Sequence, residues 1–145
     1  MPTIIRTIRH SDKPHILEMM RTFYTSSAVF TNGSEDIFST DIDNCLGNGP
    51  YVEGYVFESG DSLCWYAMLA KSYSTEFGNP CILIEDLYVK ESFRGQGIGT
   101  RFLEYVAAKY PDAVLRLEVE EDNTRAIAVY QKYGFTVLPY MEMKK

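Results

Sequence analysis

The run from Cys81 to Val119 constrains this chain more than any other stretch. Cys81 to Val89 is apolar, β-branched and aromatic, the composition of a well-covered strand. Lys90 to Phe93 then lead into Arg94-Gly95-Gln96-Gly97-Ile98-Gly99, after which Ile98, Phe102, Leu103, Val106 and Ala107 recur at helical spacing until Pro111 ends them. Val114 to Val119 sets Leu115, Leu117 and Val119 on one side and Arg116 and Glu118 on the other. Strand, helix and strand in that order predict a parallel pair joined by a right-handed crossover, and hence an α/β fold with a mixed sheet.

The flanking sequence extends this layout. Ile4 to Arg9 alternates as a short strand, and Ser11-Asp12 with Pro14 opens a helix whose buried face is Ile16, Met19, Met20, Phe23 and Tyr24. Ser34 with Glu35 and Asp36 starts a second helix that runs to Leu46 and pairs with the first. Tyr51 to Phe57 and Leu63 to Ala70 read as a hairpin, and Lys71 to Pro80 as a polar loop. Asp122 or Asn123 caps a last helix through Ala126, Ile127, Tyr130 and Tyr133, Gly134 supplies its C-terminal turn, and Val137 to Met143 is expected to close the sheet. At 145 residues the expectation is one domain spanning 1–145. Its mixed central sheet would have about six to seven strands, flanked by about four helices.

A net charge of −6 argues against a nucleic-acid partner, which would call for a basic surface. No apolar run is long enough for a membrane span, and the first twelve residues lack a secretory core, so a cytoplasmic protein is expected. Cys45, Cys64 and Cys81 fit reduced thiols filling apolar space, and His10 and His15 make a poor metal set; no metal is expected. The acidity is local. Residues 31–86 hold ten acids against Lys71 alone. Carboxylates so concentrated would attract a cation if they converged on a cleft, and would otherwise form a solvated face.

Three glycines at alternate positions before a helix leave backbone N–H groups uncovered beside the positive end of the helix dipole, an arrangement suited to a diphosphate. A simple turn is the plainer alternative. A Walker loop fails because Gly99-Thr100-Arg101 lacks the lysine. A dinucleotide fingerprint fits poorly because Gly95 lies six positions beyond Val89, although Glu118 keeps a nicotinamide-dependent oxidoreductase open.

These residues resemble the GCN5-related N-acetyltransferase (GNAT) superfamily, whose loop reads Arg/Gln-x-x-Gly-x-Gly/Ala, here Arg94, Gly97 and Gly99. Leu117-Glu118-Val119 followed by Asn123, Ala126, Tyr130, Gly134 and Phe135 is similar to the family's second signature, so the likeness covers 81–135 well and the first 80 residues only by element order. It implies an acetyl-CoA cosubstrate. Backbone groups of Leu87, Tyr88 and Val89 would meet the pantetheine arm; Arg94, Gly95, Gln96, Gly97, Ile98, Gly99 and Thr100 would cradle the diphosphate, and Asn123 would line the same site. Leu117-Glu118-Val119 with Tyr130 resembles the ribosomal-protein alanine acetyltransferases. Glu85-Asp86-Leu87-Tyr88-Val89 with its loop resembles the spermidine/spermine acetyltransferases. The likeness therefore leaves a peptide amine and a polyamine both open.

An alkylamine of pKa about 10.4 is almost wholly protonated at neutral pH, so acetyl transfer needs a proton acceptor. Glu118 or Glu85 could serve if its surroundings raise its pKa; each could equally be a solvated carboxylate. The resemblance makes the N–H of Leu87 or Val89 the donor to the developing oxyanion, and Tyr130 the acid for the departing thiolate. By helical spacing alone Tyr130 is also a core aromatic. The expected activity is direct transfer in a ternary complex from acetyl-CoA to a primary amine, a small cationic amine or polyamine. The alternatives are a protein N-terminal acetyltransferase and a non-catalytic acyl-CoA-binding module. The subunit count stays open, a homodimer being one option.

Overall fold

In the computed structural model residues 3–26 and 31–145 are described; Met1, Pro2 and residues 27–30, which the one-domain expectation also takes in, lie outside them. The apolar positions at helical spacing in 13–23, 35–46 and 98–109 are buried, and the central strands are buried on both faces. Five strands, β1 (Thr3–Thr7), β2 (Val52–Ser59), β3 (Ser62–Ser74), β4 (Asn79–Val89) and β5 (Val114–Leu117), form one sheet in chain order. The first four are antiparallel neighbours. β5 alone runs parallel to its neighbour, Cys81–Ile84 of β4 facing Val114–Leu117, because α3 (Ile98–Lys109) carries the chain across between them.

The two faces are covered separately. On one, α1 (Lys13–Phe23) and α2 (Glu35–Leu46) press Ile16, Met19, Met20, Phe23, Phe38 and Ile42 against Val56, Tyr66 and Met68. Ser34 caps α2 by accepting the Ile37 N–H at 3.2 Å, as its place before two acids predicts. On the other face α3 sets Phe102, Leu103 and Val106 against Phe57, Trp65, Leu69 and Ile84, the Phe102 ring standing edge-on to Trp65 at 4.8 Å. α4 (Thr124–Lys132) is capped by Asn123, whose side chain accepts the Ala126 N–H at 3.3 Å, and is closed by Gly134 at φ 108°. Among the described residues no helix is long and apolar enough to cross a membrane.

The strand count among the described residues is five, short of six to seven, because one expected strand does not form. Val137–Met143 forms no strand: Pro139 has no N–H to give a ladder, and the segment runs beside β5 with Val137, Met141 and Met143 largely exposed. β5 also stops at Leu117, two residues before the expected end. In the other direction, Lys71 to Pro80 is mostly not a loop. β3 and β4 stay paired through Ser72–Cys81, Tyr73–Pro80 and Ser74–Asn79, and a tight turn follows in which Gly78 adopts φ +66° and donates to the Ser74 carbonyl at 2.8 Å. Backbone hydrogen bonds carry that pairing beyond the core, where side-chain polarity gives no signal of a strand.

Candidate active site

β4 and β5 part company after Ile84 and Leu117. β4 continues to Val89 with Leu87, Tyr88 and Val89 paired to β3 on one edge only, so the backbone groups on the other edge are uncovered by any strand. Between the diverging strands opens a cleft of about 810 Å³, lined among others by Tyr24, Glu85, Leu87, Glu118, Asn123 and Tyr130. Five of the residues singled out from sequence, Glu85, Leu87, Glu118, Asn123 and Tyr130, are brought together here.

A bulge decides what β4 shows to the cleft. Met68 faces Asp86 while its neighbour Leu69 faces Ile84, so Glu85 is the extra residue. In consequence Ile82 and Ile84 pack beneath α3, as do Leu87 and Val89, whereas Asp86 turns to the opposite face toward α1. The spacing of those four apolar residues, two, three and two, is the sequence signal of the bulge. Glu85 itself is open to the cleft, yet its carboxyl loses part of its hydration against the sheet, and this, reinforced by the charges of Asp86 and Glu142, raises it above the usual carboxylate range.

Glu118 lies just past the end of β5. Hydrogen bonding to Glu142 from the C-terminal segment, followed by partial burial and the charges of Glu142 and Glu85, pushes it up to about 7 against the opposing pull of Arg116. Tyr130, on α4, is half-buried with its ring 5.9 Å from Phe135, and burial raises its phenol. It therefore remains protonated at neutral pH, and its hydroxyl has no hydrogen-bond partner among the described residues. A second cleft of about 770 Å³, bounded by the C-terminal segment, lies on the far side of β5, and Glu118 and Tyr130 stand in the wall between the two.

The glycine loop meets α3 at Gly97, its N-cap. Gly95 (φ +81°) and Gly97 (φ +74°) hold left-handed backbone that a side chain would strain. Gly99 does not, and a Cβ on any of the three would meet no heavy atom within 4 Å. Packing inside the chain thus gives no reason for Gly99. The open space over three uncovered amides at a twelve-residue helix's N-terminus fits a diphosphate pressed close to the backbone. Arg94 stays exposed, its Nε donating to the Val89 carbonyl at 3.0 Å and its guanidinium 5.7 Å over the Tyr88 ring, which ties the loop to the end of β4. Gln96 is exposed and Thr100 half-buried, but the Ile98 side chain points into the core, so only its backbone could reach a ligand. Asn123 lines the cleft while its carbonyl oxygen caps α4.

The acidic segment divides. Glu35 pairs with Arg21, Asp43 with Lys13, Glu58 with Arg6, and Glu53 with Lys71, Lys109 and the hydroxyls of Tyr55 and Tyr110. Glu85 remains on the cleft without a cationic partner among the described residues, joined there by Glu118, Glu120, Glu121 and Asp122 from the chain after β5; Asp41 and Asp86 lie near Glu85 but off the cleft lining. Sequence reasoning sets Asp86 apart with Glu85 but gives it no role, and it assigns neither Tyr24 nor Tyr66 to the site. Tyr24 and Tyr66 read as ordinary core aromatics at helix and strand spacing.

A mixed sheet that splays at one parallel pair, with a glycine loop at the N-terminus of the crossover helix, sets a turn that fits a diphosphate beside an acidic cleft. Residues 16–135 match the acetyltransferase (GNAT) family, and the chain belongs to it. It is an acetyl-CoA-dependent N-acetyltransferase. It is 31% identical over 144 residues to the thialysine N-epsilon-acetyltransferase of Bos taurus, covering 90% of this chain and 82% of the relative. It is 28% identical over 93 residues to the spermine/spermidine N(1)-acetyltransferase of Bacillus subtilis, covering 60% and 57%. Among solved structures, a predicted acetyltransferase with acetyl-CoA from Clostridium acetobutylicum superposes with a TM-score of 0.78 at 18% identity, covering 99% of this chain and 96% of that one.

Proposed function

We propose that the chain acetylates a small cationic primary amine, of the polyamine or aminoalkyl amino acid kind, by direct transfer in a ternary complex. The observation that carries this is the acidic lining of the cleft, Glu85, Glu118, Glu120, Glu121 and Asp122 beside Tyr130, with Asp41 and Asp86 close to Glu85. A field of that sign concentrates cations and favours an amine with a further positive charge. The relatives named for thialysine and spermine/spermidine agree in kind.

When bound, acetyl-CoA supplies the electrophilic thioester carbonyl. Gly95 to Thr100 and Arg94 hold its diphosphate, and the open edge of Leu87, Tyr88 and Val89 aligns its pantetheine arm. Glu118, raised to about 7, takes a proton from the ammonium group and frees the lone pair that forms the new N–C bond. Glu85 is the second acceptor along the same wall. An N–H of Leu87 or Val89 donates to the carbonyl oxygen as it gains negative charge. The C–S bond then breaks, the nitrogen of the adduct gives up its second proton to solvent, and Tyr130 gives its proton to the departing sulfur; Glu118 returns its proton to solvent and Tyr130 regains one from it. Tyr130→Phe tests the assignment: the expected outcome is turnover about 100-fold lower with acetyl-CoA affinity within twofold of wild type. Unchanged turnover would return Tyr130 to a packing role.

A further inference from the structure

Asp86 is a buried carboxylate, 3% exposed, that takes no part in any ion pair among the described residues. From α1 the Tyr24 hydroxyl donates to its Oδ1 at 2.8 Å; from β3 the Tyr66 hydroxyl donates to its Oδ2 at 2.9 Å. From α2 come Asp41 and Cys45, and from its own strand Glu85. Every titratable neighbour is therefore neutral or acidic. Two phenols satisfy the carboxylate's hydrogen bonding but leave its charge uncompensated in a poorly hydrated place.

The two phenols are not equivalent. Tyr66 is wholly buried, while Tyr24 lines the cleft, its ring held edge-on by Phe23 at 5.1 Å and against Phe38 at 5.1 Å. Asp86 does not itself line the cleft, so the Tyr24 phenol stands between the charge and the space where an amine would bind. A phenol has one proton to donate. With that proton directed to Asp86, the Tyr24 oxygen offers only lone pairs, polarised by the carboxylate behind it.

We propose that Tyr24 is an amine-contacting residue and Asp86 its positioning residue: the phenol oxygen accepts an N–H of the cationic substrate, whose charge offsets the buried carboxylate through it. This rests on the amine-acetyltransferase reading and adds to it the recognising group. Tyr24 follows the last turn of α1, its N–H on the Met20 carbonyl at 2.9 Å, and its side chain is held by the Asp86 hydrogen bond and the rings of Phe23 and Phe38.

The test is steady-state acetylation of spermidine and of thialysine, with acetyl-CoA saturating, by wild type, Tyr24→Phe, Asp86→Asn, the double variant and Tyr66→Phe. Tyr24→Phe keeps the packed ring and removes one oxygen; its amine KM rises about tenfold or more while kcat stays within about threefold. The double variant is no worse than the poorer single one, because the two residues act as a unit. Tyr66→Phe, which removes a donor from the same carboxylate on the side away from the cleft, lowers the melting temperature at least as much but raises the amine KM by a much smaller factor. An unchanged KM in a folded Tyr24→Phe, or equal KM changes in Tyr24→Phe and Tyr66→Phe, overturns the inference while wild-type turnover leaves the acetyltransferase reading intact. Absence of wild-type turnover on every amine overturns both.

Discussion

Three carboxyl groups within a few residues of the cleft experience three different surroundings. Glu118 faces another carboxyl, Glu85 faces water and charge, and Asp86 faces two phenols. Glu118 has its native-state value raised to about 7, so it is protonated and unable to accept a proton below neutrality, and becomes competent as pH rises through 7. The acidic limb of kcat/KM should accordingly fall near pH 7 in the wild type. In Glu142→Gln, where the facing charge is removed, that limb should move to lower pH; an unmoved limb would exclude Glu118 as the base. A contrast within the same chain is Asp12, which accepts from Arg6 at 2.7 and 3.0 Å and from the Arg9 N–H at 2.8 Å. Burial alone would raise it, but the guanidinium and the backbone donor prevail and hold it low. Asp12→Asn leaves a largely buried Arg6 with Glu58 alone and should lower stability by about 3 kcal/mol, read as a shift in denaturation midpoint.

At the scale of elements, the glycine loop makes the sharpest prediction. Gly99 has ordinary backbone and open space over its Cα, so Gly99→Ala should leave the melting temperature equal or slightly higher, alanine being the better helix former by about 1 kcal/mol. Acetyl-CoA affinity should nevertheless fall about tenfold, measured by calorimetry, because the added methyl holds the diphosphate off the amides. Equal affinity would mean that the loop serves only to turn the chain. The loop, the crossover and a cap at Asp122 or Asn123, which the structure places at Asn123, were legible in the sequence because each rests on local chemistry: a glycine where φ is positive, a short polar side chain where a helix begins, an apolar stripe at a fixed period. The bulge at Glu85 was not read, although the step from Ile84 to Leu87 carries it, because alternation is judged over a whole strand and one inserted residue looks like noise. The end of β5 and the missing strand at Val137–Met143 were not legible either. Strand pairing there depends on how far β4 and β5 splay and on an N–H that Pro139 lacks, and the first of these is a tertiary fact.

For the whole molecule, the acidity of residues 31–86 divides in a way that composition could not show. Glu35, Asp43, Glu53 and Glu58 are tied up in ion pairs that join α1 to α2, β1 to β2 and β2 to α3; Glu85 lines the cleft with Asp41 and Asp86 close by, and among the described residues Asp36, Asp61 and Glu76 take part in neither. Salt should therefore act selectively. Raising ionic strength from about 0.05 to 0.5 M shortens the screening length severalfold, and kcat/KM for a polyamine should drop several-fold while that for an uncharged-tail amine changes little. Equal salt dependence for both would place the cation preference elsewhere than in this field. The measurement that bears most directly on the account is thiol release from acetyl-CoA against a panel of polyamines, thialysine, amino sugars and peptide N-termini. The account predicts turnover on the small cationic amines, strongest for those with a second positive charge. Tight binding of acetyl-CoA with no thiol released on any amine would contradict it, leaving a pocket that holds the cosubstrate without using it.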